Sequence, residues 1–409
     1  MKTTVVIGGG PAGMMAAIEA SKTTKVILLE ANAKLGKKLF ITGKGRCNVT
    51  NAKDIGEFFD YIPGNPTFLY SALYTFTNEN TMEFFNKLGV KLKVERGDRV
   101  FPASDKSSDI ISALEAALKH NGVDIRLNSK VSKVHKEGRK IDYVLLDTGE
   151  KIGGDYFILC TGGQSYPLTG STGDGYKFAK TLGHNIISIK PSLVPIVVKE
   201  EWIKELQGLS LKNVEFKIFE NSKCIFREFG EMLFTHYGIS GPIVLSGSRK
   251  VNTARCQQAY IDLKPALTEE ELDKRIQRDF EIFKNKELKN ALNELLPQKI
   301  IHRIILSSEI PLDKKVHSIT KQERKRLGHV IKNFKLEIQG LRPIEEAIVT
   351  AGGVDTKEIN PSTMASKIID NLYFAGEVID VDAYTGGYNI QIAFSTGYLA
   401  GKSINDAEK

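Results

Sequence analysis

The chain opens on a spacing that binds phosphate. Gly8, Gly10 and Gly13 form G-x-G-x-x-G directly after the β-branched run Thr3-Thr4-Val5-Val6-Ile7. The first glycine permits a tight turn, the second lets a pyrophosphate approach the backbone, and the third lets helix pack on strand. Pro11 and Ala12 open the helix, whose unpaired N–H groups and positive dipole end point at the phosphates. The motif needs a second strand ending in an acid about 20 residues on. Lys25-Val26-Ile27-Leu28-Leu29-Glu30 meets that need, so Glu30, with Ala31 beside it, is expected at a ribose.

Other stretches carry chemistry of the same kind. Residues 33–51 combine glycines with four lysines and an arginine, a composition suited to an anion-binding loop whose backbone N–H groups and cations converge on phosphates; Lys37, Lys38, Thr42, Gly43, Arg46 and Asn48 are its candidate ligand-binding residues, Arg46 and Asn48 being available to orient the ligand. The apolar run Tyr156–Cys160 ends in Thr161-Gly162-Gly163, where small residues let the backbone approach a ligand. Near the end of the chain, Asn371–Asp382 is an apolar strand running into Gly376-Glu377 and two aspartates, and Gly386-Gly387-Tyr388-Asn389-Ile390 starts a helix at a double glycine. Between these, Phe234-Thr235-His236-Tyr237-Gly238 sets polar rings among glycines, which makes His236 a candidate for a catalytic or substrate role.

Composition narrows the function classes. With 409 residues, 41% hydrophobic and 26% charged, the chain has room for two or three globular domains. No apolar stretch is long enough to span a bilayer, and the glycine motif occupies the region where a signal peptide would be hydrophobic, so the chain is expected to be cytoplasmic with no membrane partner. Cys47, Cys160, Cys224 and Cys256 form no C-x-x-C pair, which argues against zinc, iron–sulfur clusters or a disulfide framework, and no metal is expected. A net charge of +8 favours an anionic partner, either a nucleotide cofactor or a polyanion such as RNA.

The elements that must position these residues follow from periodicity. Residues 54–91 carry aromatic and aliphatic side chains at helical spacings, and Ser108–Asn121 is an amphipathic helix leading to strands at Val123–Leu127 and Lys130–Val134. From Leu193 to Asp262 the pattern changes to short strands and turns, and Thr268–Leu296 and the segment after Thr320 are helical and rich in Lys and Arg. Thr320-Lys321-Gln322-Glu323 is a capping box. The expected architecture is α/β: a Rossmann-like domain built from both chain ends, with an inserted β-rich, barrel-like domain carrying a small helical subdomain. The corresponding segments are 1–190, 191–264, 265–333, 334–345 and 346–409, the first and last forming the dinucleotide domain.

On Gly8–Gly13 with Glu30, Gly43-Lys44-Gly45-Arg46-Cys47-Asn48, Cys160–Gly163, Gly170–Gly175, Phe234–Gly238, Leu372–Glu377 with Asp380, and Thr385–Asn389, the chain resembles a two-dinucleotide-binding-domain flavoprotein of the glutathione-reductase-like superfamily. More narrowly it resembles the BaiN/RdsA family (YhiN-like, aminoacetone oxidase-like) over essentially its whole length. The resemblance implies non-covalent FAD, and it extends the cofactor-binding candidates to Val131 and Asp382. It also implies reduction of carbon–carbon double bonds, with family members associated with dihydrouridine formation in large-subunit ribosomal RNA and one branch with unsaturated bile-acid intermediates. Arg46 and Asn48 would then orient the flavin ring or substrate, and the helix after Gly387 would stabilise negative charge on the ring. No second G-x-G-x-x-G is present, so NAD(P)H, if it is the donor, docks transiently.

The expected activity is uridine to dihydrouridine in 23S ribosomal RNA: hydride to C6 and a proton to C5 from an acid, with Cys47 the first candidate and Tyr388, Tyr237 and His236 the others. Two alternatives stand beside it. One is a small-molecule reductase or oxidase acting on an enone, a steroid-like compound or an amine; the other is a non-catalytic, flavin-containing RNA-binding or ribosome-assembly protein. Oligomeric state is not readable from the residues.

Overall fold

Val5-Val6-Ile7 and Val26–Leu29 show no alternation of apolar and polar residues, and the reason is burial on both faces of a parallel sheet. In the computed structural model, which describes residues 1–251 and 257–408, β1 (Thr3–Ile7) leads through the glycine turn into α1 (Pro11–Ala20) and on to β2 (Lys25–Leu29). After α2 (Ser107–His120) come β3 (Asp124–Arg126) and β4 (Tyr156–Leu159), and much later β5 (Leu372–Phe374) and the 20-residue helix α3 (Tyr388–Ala407). The sheet order is β5-β4-β1-β2-β3, and every pairing is parallel, with Val5 between Ile27 and Phe157. The chain winds outward from β1 in one direction and from β4 in the other. Their junction is the topological switch point at which open α/β sheets take their ligands.

Two compact units emerge from the contacts: Met1–Ser192 with Ile344–Lys409, and Leu193–Pro343. In the first, α3 lies against α1 at backbone distance. A Cβ on Gly397 would stand 2.2 Å from the Ala12 carbonyl oxygen, and one on Gly401 would stand 2.7 Å from that of Ala16. Residues 54–91, expected as helix, are broken into short pieces at Ile55–Tyr61, Pro66–Leu69, Tyr70–Thr75 and Asn78–Lys87. Pro63 and Pro66 lack the N–H that would continue a helix. The last piece is started by a reciprocal cap between Thr77 and Asn80.

The second unit is a closed antiparallel barrel, as the short strands of the insertion led one to expect. Its strands run in the order Ile196–Val198, Gly238–Ser240, Lys223–Phe234, Ser210–Glu220, Gln257–Asp262 and Phe334–Leu341, and the last pairs with the first. Between its fifth and sixth strands the chain makes helices at Glu269–Ile282, Gln298–Ser307 and Lys321–Lys332. Their apolar faces (Leu272, Ile276, Ile300, Ile304, Leu327 and Ile331) share one core with Phe216, Ile218 and Ile261 of the barrel. Capping boxes start two of them, Thr268 with Glu271 and Thr320 with Glu323. Cys256 lies outside the described residues.

One carboxyl of the barrel is held at a disadvantage. Glu228 pairs across the sheet with the fully buried Phe216, and burial pushes its carboxyl up to about 7 although Ser246 hydrogen-bonds to it. A carboxyl whose folded value exceeds its unfolded value near 4.3 destabilises the fold as pH rises through that window. Glu228→Gln is therefore expected to raise the urea midpoint at pH 8, by about 1–2 kcal/mol in stability, and to change nothing at pH 4.5. An equal effect at both pH values would remove titration as the cause.

Candidate cofactor cradle and active-site residues

The glycine turn after β1 is packed shut on two sides and open on the third. Gly8 has φ +110°, and a Cβ there would lie 2.5 Å from the Cys160 carbonyl oxygen at the end of β4. One on Gly13 would lie 1.9 Å from the Gly8 oxygen, whereas one on Gly10 would meet nothing within 4 Å. Gly10 is also the N-cap of α1 and offers no side chain to its first turn. The turn thus joins close packing behind to an open, electropositive helix end in front, which is what a pyrophosphate requires.

At the tip of β2, Glu30 is buried and locked. Its Oε2 accepts from Gly9 N at 2.8 Å, and its Oε1 accepts from Asn32 N at 2.8 Å and Asn32 Nδ2 at 2.7 Å. Oε2 keeps an acceptor position that a ribose hydroxyl could use. Ala31 is exposed next to it, and Val131 has its side chain buried, so only its backbone could meet a ligand. Asn32, which nothing in the sequence singled out, also donates to the Thr169 carbonyl oxygen at 3.1 Å and so ties the two loops together.

A second cluster surrounds Glu377. Lys38 Nζ donates to Glu377 Oε2 and to Ser165 Oγ, both at 2.7 Å, while Glu377 Oε1 accepts from Thr350 N at 2.8 Å. Thr350 Oγ1 in turn accepts from Gln164 N at 2.8 Å, and a Cβ on Gly163 would strike that oxygen at 2.3 Å. Gly376, at φ +75°, brings this network against Ala12 of α1, where a Cβ would stand 2.8 Å from the alanine methyl. Ser165 and Thr350 escaped sequence reading because their partners lie 212 and 27 residues away. Two buried oxygens here and nearby have no partner among the described residues: Thr161 Oγ1 and Asn48 Oδ1. The latter is 3.0 Å from where a Cβ on Gly387 would be, at the uncapped N-terminus of α3.

Several expected residues are committed elsewhere. Arg46 does not face a ligand; its guanidinium bridges Glu95 and, at 2.7 Å, Asp105, and it lies 4.1 Å over the Phe101 ring. The cause is that Phe101 and Asp105 sit on and just after a strand paired along this loop. Asp382 is buried and accepts from Ser192 Oγ at 2.9 Å, and Asn389 folds back on the Ala383 backbone through both its oxygen and its nitrogen. Thr42 donates to the Leu39 carbonyl oxygen, and exposed Lys37 to Asn32 and to the Leu168 carbonyl oxygen. Gly43, at φ +57°, Gly162, at φ +74°, and Gly386, at φ +134°, hold turns, and Ile390 packs against the core.

The expectation that Cys47 lies over a ligand as an acid is corrected by burial. Its side chain has no exposed surface, and its thiol is pushed up to about 12. Tyr388 is 2% exposed, stacked on Tyr61 with ring centroids 4.6 Å apart, and burial raises its phenol as well. His236 and Tyr237 belong to the barrel unit. His236 is exposed and stands edge-on to Tyr237 at 4.7 Å, and the Arg342 guanidinium lies 4.6 Å over the Tyr237 ring.

A family model described as HI0933-like protein Rossmann domain matches residues 2–403. The chain belongs to this family. Its class is that of the FAD-dependent oxidoreductases. A protein of Escherichia coli K12 named ribosomal RNA dihydrouridine synthase is 31% identical over 401 residues, covering 98% of this chain and 97% of its own. One of Clostridium scindens named 3-dehydro-bile acid delta(4,6)-reductase is 30% identical over 405 residues, covering 97% and 98%. In fold, the chain is similar to the open conformation of a flavocytochrome c3 fumarate reductase, with a TM-score of 0.52 at 17% identity over all of this chain and 78% of that one. The cradle fits FAD. Gly10 leaves room where a pyrophosphate would lie, Glu30 retains an acceptor, and the partnerless oxygens of Thr161 and Asn48 await donors. No group of side chains able to hold a metal occurs among the described residues, and no helix there is long and apolar enough to cross a membrane.

Two outcomes test this description. Gly10 has φ −80° and ψ −176°, values open to any residue, and aspartate is a strong N-cap. Gly10→Asp should therefore fold, gain up to about 1 kcal/mol in stability, and purify nearly free of FAD, as read by thermal melting and flavin absorbance; full flavin occupancy would place the pyrophosphate elsewhere. Iodoacetamide on the folded protein should alkylate the exposed Cys224 and leave Cys47 and Cys160 unmodified by mass spectrometry. Labelling of Cys47 as fast as Cys224 would contradict its enclosure.

Proposed function

We propose that this protein reduces the C5=C6 double bond of a uridine in 23S ribosomal RNA to give dihydrouridine. Two curated relatives with that kind of name, at 31% and 32% identity, match it nearly end to end. The observation that carries RNA over a small neutral substrate is the net charge of +8, which draws a polyanion to the protein before any specific contact forms. NAD(P)H is the proposed source of electrons, docking transiently.

The double bond is conjugated to the C4 carbonyl, so its reduction requires hydride at C6, charge relief at O4 and a proton at C5. FAD, when bound, supplies the hydride. Gly8–Gly13, Glu30, Lys38, Asn48 and Glu377 hold and orient it, and the N-terminus of α3 sets a positive dipole end beside Asn48. Of the four candidate acids, His236 and Tyr237 are the two with surface that a substrate can reach, since Cys47 and Tyr388 are enclosed. We assign proton delivery at C5 to His236 and its positioning to Tyr237, whose ring is braced by Arg342.

A second reading has one observation in its favour: the Clostridium scindens relative, at 30% identity, is named for reduction of a bile acid. A conjugated enone would call on the same residues.

Mass-spectrometric quantification of dihydrouridine in 23S ribosomal RNA separates the two. A deletion strain should lack one residue that complementation restores; an unchanged level would move the assignment to a small enone. In the complementation, His236→Ala should lower product formation by about 10²-fold or more with flavin content retained. Undiminished product would remove His236 as the acid.

A further inference from the structure

On a face of the Ile55–Tyr61 helix distinct from the one that carries Phe58 and Tyr61 to Tyr388, the first unit exposes a flat aromatic surface. Tyr70 and Tyr74 stand one turn apart on the helix Tyr70–Thr75. Their rings are parallel within 2° with centroids 6.2 Å apart. Phe59 backs both, at 4.2 Å from Tyr70 and 6.1 Å from Tyr74, inclined by 25° and 22°. Phe59 braces this aromatic plate, and both tyrosines keep open surface: Tyr70 is 47% and Tyr74 54% exposed.

Charge decides what such a plate can take. In residues 53–77 the only charged side chains are Lys53, Asp54, Glu57 and Asp60. Lys53 is tied to Glu57 at 3.0 Å and to Asp98 at 3.9 Å, while Asp60 is exposed on the same helix. Asp54 lies at the rim of the plate, because the point where a Cβ on Gly56 would sit is 3.0 Å from Asp54 Oδ1 and 3.8 Å from the Tyr74 hydroxyl. A negative rim repels phosphate and attracts a cation, and the cation that also stacks flat on an aromatic face is guanidinium. It can donate in plane to a carboxylate while its face covers a ring.

We propose that the Tyr70–Tyr74 plate, with Asp54 at its edge, docks an arginine-bearing basic segment of a partner polypeptide. This surface is independent of the substrate assigned above, and its failure would leave that assignment standing.

The probe is an octapeptide of alternating arginine and glycine, titrated into the flavin-loaded protein at low salt with intrinsic tyrosine fluorescence and calorimetry as readouts. Binding is expected to weaken about tenfold in Tyr70→Ala/Tyr74→Ala and in the gentler Tyr74→Leu, to survive Tyr74→Phe, and to fall in Asp54→Asn, which keeps a capping side chain and removes the charge. The lysine counterpart of the peptide should bind more weakly, since an ammonium cannot stack as a plane. Unchanged flavin absorbance and circular dichroism certify that each variant is folded. Equal binding by wild type and the double alanine variant overturns the proposal. So does tyrosine-dependent binding of oligouridylate, which would make the plate a base-stacking surface instead.

Discussion

The close approach of backbone at Gly8 and Gly13 is the constraint on which the first unit depends. Neither position has room for a side chain, because the strand end, the helix start and the end of β4 converge there within van der Waals distance. That convergence brings α1 down on the sheet with its first turn aimed outward. It also sets the level at which Gly376 and Gly397 come in against Ala12 from the chain's far end. Segments more than 350 residues apart in sequence are therefore parts of one cradle, and the helix dipole is delivered to a fixed point by packing alone.

Around that point the polar groups are arranged to hold one another. Glu30 is locked by Gly9 and Asn32, and Glu377 by Lys38, Ser165 and Thr350. A partly buried ion pair such as Lys38–Glu377 adds little net stability when intact, but losing either partner leaves a charge without compensation. The network is better understood as a device that fixes orientation. The same logic accounts for Arg46, whose three neighbours Glu95, Asp105 and Phe101 use its charge and its plane for structure and leave none for a ligand.

The barrel unit shows a different economy. Its helices add apolar faces to the barrel core, so a segment with a basic, solvated exterior is anchored by Leu272, Ile276, Leu327 and Ile331. His236 and Tyr237 sit in the tight connection between the strands Lys223–Phe234 and Gly238–Ser240, where Gly238 at φ +159° and the Thr235 N–H to Gly238 oxygen bond at 2.8 Å hold the turn. The turn leaves the His236 ring exposed, whereas the Cys47 thiol is enclosed.

Much of this was legible in the residues. The glycine spacing, the apolar runs of β1 and β2 and the acid at Glu30 announce a dinucleotide fold, because each is a local requirement of turn, strand or helix start. The short strands after Leu193 announce the β-rich insertion, and capping boxes announce two helices, for the same reason. Which side chains are free was settled only by tertiary packing. Cys47 and Arg46 stand in a loop whose composition reads as a site, yet burial closes over the one and two acids distant in sequence claim the other. Ser165 and Thr350 carry no motif and enter through long-range contacts alone, and Asn32 joins its local bonds to Glu30 with one that reaches Thr169. Local sequence sets backbone conformation through sterics and hydrogen bonding, whereas accessibility and pairing are properties of the whole packed chain.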